Sequence, residues 1–119
     1  MKYLLLLLVV ALFSACQKQS STAASLRGRL DAASSIMDMA SRDEAFAKLA
    51  TDAAEAKNAE VSKQAIGSIL RVNTKDHAAE VAALALAKQA ETSFATEISR
   101  MILDTTIRDR PLKAVAKSE

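Results

Sequence analysis

Asn73-Thr74-Lys75-Asp76-His77-Ala78-Ala79-Glu80-Val81-Ala82-Ala83-Leu84-Ala85-Leu86-Ala87-Lys88-Gln89-Ala90 is the stretch on which the fold turns. From Ala78 to Ala87 the one polar side chain is Glu80, so a helix through this stretch is apolar on every face. Such a helix is stable only between neighbours. Asn73-Thr74-Lys75-Asp76 is a cap signal, and it predicts a helix over about Lys75–Ala90. This helix is expected to lie at the centre of the fold.

Helical spacing continues on both sides. Leu26, Leu30, Ala33 and Met37 draw one stripe and predict a helix over about Thr22–Met39. Gly28 within it costs up to about 1 kcal/mol relative to Ala. Ser41-Arg42-Asp43-Glu44 reads as a capping box. It would open a second helix to about Lys57, burying Phe46, Leu49, Ala53 and Ala56. Asn58 is a cap for a third helix with the stripe Val61, Ala65, Ile69 and Val72, and with Ile66 and Leu70 beside it. A fifth helix is expected from Thr92 or Ser93, with Phe94, Ile98, Met101 and Thr105 inward and Ile102 beside them. From Thr22 onward the only glycines and proline are Gly28, Gly67 and Pro111, and no stretch alternates as a half-buried strand does. The fold expected is all-α, a small bundle or short α-solenoid of about five helices over residues 22–107. Pro111 is expected to interrupt regular structure. Residues 108–119 then form a basic tail with Arg108, Arg110, Lys113 and Lys117, read as a frayed soluble end, with contact to lipid phosphates or an acidic partner as the alternative.

Three features recur at a spacing of 33 residues: Arg42-Asp43, Lys75-Asp76 and Arg108-Asp109; Ile36-Met37, Ile69-Leu70 and Ile102-Leu103; Ala32, Ala65 and Ile98. Periods of this size are typical of helical solenoids. A plain Ala-rich bundle with coincident spacing is the simpler reading. Residues 73–90 resemble the first helix of a tetratricopeptide repeat, with Val81 and Leu84 at the large apolar positions, Ala85 at the small one and Lys88-Gln89-Ala90 at the turn. Lys88 stands where that motif has an aromatic, and the second helix matches poorly.

The N-terminus reads as an address. Met1-Lys2-Tyr3 carries one charge, and Leu4 to Phe13 is a ten-residue apolar run. A membrane-spanning helix needs about 20 such residues, so the run reads as the core of a signal peptide. Ser14-Ala15 then leads into Cys16, the sole cysteine. Residues 1–16 resemble a bacterial lipoprotein signal. That resemblance implies removal of residues 1–15, a diacylglyceryl thioether and further acylation (palmitate-like chains) at Cys16, and a short linker over residues 16–21. Two or more chains anchor a protein stably without spanning the bilayer. By the same resemblance, to lipoproteins in which Asp at this place favours inner-membrane retention, Gln17 implies the outer membrane facing the periplasm. The alternative is a secreted protein cut at Ala15 or nearby, with a free Cys16.

The chemical inventory is sparse. Without Lys2, 15 Lys and Arg face 14 Asp and Glu, which argues against a nucleic-acid partner. His77 is the only histidine, and no zinc spacing, CxxC pair or glycine-rich loop occurs. No catalytic, cofactor-binding or metal residue is assigned. Asp52 and Glu55 share a helix face and could chelate a cation, but a solvated face is the simpler reading. Asp43 and Glu44 are explained by the helix dipole. Met37, Met39 and Met101 could form an adaptable groove, though Met37 and Met101 read as core. These features point to a non-enzymatic, membrane-anchored helical interaction or accessory module with an envelope protein as partner. In outline it resembles the pilot lipoproteins that deliver secretin subunits, though none of their motifs is present. An immunity or exclusion lipoprotein and a structural or stress lipoprotein are the alternatives.

Overall fold

The stripes fold as six helices among residues 23–118, the part of the chain that the computed structural model describes; no strand occurs among those residues. They are α1 (residues 23–34), α2 (Met39–Glu55), α3 (Ala59–Ser68), α4 (Val72–Lys88), α5 (Thr92–Ser99) and α6 (Thr105–Ser118). α4 packs against α2, α3, α5 and α6, as its uniformly apolar surface requires. Ala78, Ala79, Ala82, Ala83 and Ala87 are buried around it and let the neighbouring helices approach closely. The larger core residues are Leu26, Phe46, Leu49, Val61, Ile66, Ile69, Leu86, Ile98 and Ile102. No helix among the described residues is long and apolar enough to cross a membrane.

The spacing of 33 is a spacing of geometry as well as of letters. α2 ends on Lys57 at φ 61°, with Asn58 N–H donating to Ala53 O at 2.8 Å and Lys57 N–H to Ala54 O at 3.0 Å. α4 ends on Ala90 at φ 61°, with Glu91 N–H donating to Leu86 O at 2.9 Å and Ala90 N–H to Ala87 O at 3.1 Å. Both are Schellman closures, built without glycine at the left-handed position. Ile36, Ile69 and Ile102 each donate their N–H three residues back at 3.1 Å, to Ala33, Ile66 and Ser99. The recurring unit is a helical hairpin, α2 with α3 and α4 with α5. α1 stands where a second helix stands, and α6 where a first helix stands.

Several sequence expectations are corrected. Ser41-Arg42-Asp43-Glu44 is not a capping box. Asp38 caps α2 instead, accepting from Ser41 N–H at 2.9 Å and Ser41 Oγ at 2.6 Å, so the helix starts two residues before Ser41. α4 likewise starts at Val72 with Arg71 at the N-cap and no side-chain cap bond, which puts Asn73-Thr74 inside the first turn. Asn58 does cap α3, accepting Val61 N–H at 3.2 Å. Because α1 and α3 stop at residues 34 and 68, Met37, Leu70 and Val72 fall outside the stripes and are exposed. Ala56 is an exposed C-cap, and Thr105 opens α6 rather than extending α5. Pro111 lies inside α6 and is fully buried. Its ring leaves the Ile107 carbonyl without an intrahelical donor, yet the helix continues because it packs on α4 and α5. Residues 108–118 therefore belong to a packed helix, not to a frayed tail. Cys16 and the signal-like segment lie outside the described residues.

Candidate functional site

Each hairpin is joined to the next by a buried carboxylate. Asp43, the fifth residue of α2, has no exposed surface. Its Oδ1 accepts Leu70 N–H at 3.1 Å, and its Oδ2 accepts Arg71 N–H at 3.0 Å and Arg71 Nε at 3.1 Å. Arg71 also donates to Ala40 O at 3.2 Å. Asp76, the fifth residue of α4, repeats the joint: Oδ1 accepts Leu103 N–H at 3.0 Å and Oδ2 accepts Asp104 N–H at 3.1 Å. The backbone N–H groups of the two residues just before each helix need partners, and a carboxylate from the preceding hairpin accepts from both. Burial works to raise the Asp43 pKa, but the two N–H groups and the Arg71 guanidinium together outweigh it and hold the carboxyl below its ordinary value. The dipole reading of Asp43 is thus replaced by a long-range bracket.

The brackets pin the backbones of the α3–α4 and α5–α6 turns, and the side chains beside the pinned N–H groups project outward, as does the one at the matching place on the unbracketed α1–α2 turn. Met37, Leu70 and Leu103, spaced by 33, are 96%, 59% and 67% exposed. Met39 and Val72, also 33 apart, flank them and are half-exposed. These are the exposed large hydrophobic residues of the described chain, and all lie at the α1–α2, α3–α4 and α5–α6 turns. Singly exposed aliphatics carry no meaning; these share one place in the repeating unit. Arg42, Lys75 and Arg108 follow one turn into each first helix. A shallow cleft of about 320 Å³ lies beside Leu70, lined also by Ser34, Arg42, Phe46 and Ser68.

The other sequence candidates are placed elsewhere. Asp52 does not pair with Glu55 around a cation. It accepts from Arg29 Nη2 at 2.8 Å and Lys48 Nζ at 3.4 Å, tying α1 to α2. Burial would raise its pKa, but these two cations hold it below the ordinary value. His77 is exposed on the second turn of α4. Among the described residues no group of three His, Cys, Asp or Glu side chains could hold a metal. Met101 packs partly against the core, while Met37 is at the surface, opposite to its expected place. The sequence pattern contained the Asp43–Asp76 and Met37–Leu70–Leu103 sets, but not their roles. The helix starts that decide those roles were set too late.

No protein-family model, curated protein or solved structure matches the chain.

Proposed function

We propose that this chain is a non-enzymatic, lipid-anchored accessory module of the bacterial envelope, held through Cys16 on the outer membrane facing the periplasm and receiving an envelope protein on the Met37–Leu70–Leu103 edge. The observation that carries the reading is that all the large exposed apolar side chains of residues 23–118 lie at the turns that open α2, α4 and α6, in register with the hairpins. Evenly spaced aliphatic anchors suit an extended or helical segment of a partner, which would bury several of them at once. The tether is supported by the apolar run Leu4–Phe13 and the sole cysteine directly behind Ser14-Ala15. An assembly or pilot-like role follows from the combination of a tether, a binding edge and a sparse catalytic inventory.

The test is in-cell photocrosslinking from position 70 of the full-length chain. A discrete adduct with one envelope protein, lost when Leu103→Glu is added, is the expected result. Adducts with lipid alone, or protein adducts indifferent to Leu103→Glu, would remove the proposed edge.

A further inference from the structure

The joint that Asp43 and Asp76 make inside the chain has a third set of parts. Asp109 is the fifth residue of α6, as Asp43 is of α2 and Asp76 of α4. Unlike them it is exposed, and among the described residues nothing donates to it. Met37 and Asp38 lie 33 residues before Leu70 and Arg71, and among the described residues their N–H groups have no acceptor. The faces around these groups are uncovered in the same register. Ala50 and Ala83 are fully buried on α2 and α4, while Ala116, at the matching place on α6, is exposed. Val61 and Ala65 are fully buried on α3, while Gly28 and Ala32, their counterparts on α1, are exposed.

We infer that a second copy of this chain covers these faces, α1 and the start of α2 of one copy docking on α6 of another, with Asp109 accepting the Met37 and Asp38 N–H groups of its neighbour. The occupant is read from the interface already present: α6 offers the surface that α2 and α4 offer to the second helix of their own hairpin and the turn after it, and α1 with Asp38 offers the surface that α3 with Arg71 and α5 with Asp104 present. Two acids meeting at this joint, Asp109 and Asp38, have a precedent within the chain. Asp76 accepts from Asp104 N–H while the Asp104 carboxylate turns away to its own helix, accepting Thr106 N–H at 2.9 Å. Asp38 is turned the same way, onto Ser41. The contact is heterologous, so it propagates head to tail rather than closing as a symmetric pair.

The test uses full-length chains in their own membranes. One population carries Gly28→Cys on the exposed α1 face and a differently tagged one carries Ala116→Cys on the exposed α6 face, which leaves Asp109 in place, with mild oxidation after co-expression. The expected product is a disulfide dimer containing both tags, and a chain carrying both substitutions should give a ladder of multimers. Sedimentation of the detergent-extracted wild-type protein should show self-association weakened about tenfold or more by Asp109→Ala, the loss of a charge-assisted acceptor. Ala116→Glu, on the same exposed face, should weaken it as well, with the circular dichroism of both variants unchanged. A monomer at every concentration, disulfide yields no higher than when either cysteine is present alone, or dimers joined 28 to 28 would overturn the inference.

Discussion

Asp43 sits where a carboxylate is costly unless it is fully bonded, and it is fully bonded. Replacing it by Ala leaves the Leu70 and Arg71 N–H groups short of an acceptor, which costs about 1–3 kcal/mol. Asp76→Ala should cost a similar amount through Leu103 and Asp104, and a urea titration of each variant measures it. The pH dependence has a definite sign. The folded-state pKa of Asp43 lies below the unfolded value, so its contribution is complete above about pH 4 and is lost as pH falls through the folded pKa. Stability of the wild type should therefore fall more steeply below about pH 4 than that of Asp43→Ala. A urea midpoint series in acid shows this directly, and parallel curves would contradict it. Asp43 and Asp76 were visible in the sequence as a spaced pair, but an acid near a helix start is explained locally by the dipole. Nothing short of the three-dimensional return of the chain reveals that its donors are 27 and 28 residues away.

Helices were legible where burial dictates them. The apolar run Ala78–Ala87 marks α4 as central, and Asn58 marks the start of α3. Helix starts at α2 and α4 are hard to read because cap-like residues, Ser41 and Asn73, lie inside the first turn, while α2 is opened by the local cap of Asp38 on Ser41 and α4 by the long-range bonds of Asp43 to Arg71. Helix ends were silent for a different reason. Lys57 and Ala90 adopt φ 61° without being glycine, so no letter marks the Schellman closure. Lys57→Gly and Ala90→Gly should each stabilise the fold by about 0.5 kcal/mol, the relief of left-handed strain exceeding the added chain entropy. Thermal melts of the two variants and the double variant check this. Within α4 the alanines set the helix spacing. Ala82→Leu should cost about 1–3 kcal/mol by overpacking. Leu86→Ala, at a fully buried site, should cost about 2–5 kcal/mol through the cavity it leaves.

For the whole molecule, the hairpin period links stability to presentation. The same turn whose N–H groups are bracketed by Asp43 or Asp76 displays Leu70 or Leu103 to solvent. A change at the bracket should loosen the turn that displays Leu70 or Leu103, while a change at Leu70 or Leu103 itself should leave the melting temperature within about 2–4 °C of the wild type, since exposed side chains contribute little to folding. Pro111 and the basic residues around it belong to this packed body. A proline ordinarily ends a helix, and here the contacts with α4 and α5 override that preference. The central claim is that this body hangs from a lipid on Cys16. Intact-mass spectrometry of the protein extracted from the membrane fraction tests it most directly. A chain beginning at residue 16 and heavier than its polypeptide by a diacylglyceryl group with or without a further acyl chain is expected; an unmodified cysteine at position 16 in the mature protein would contradict it.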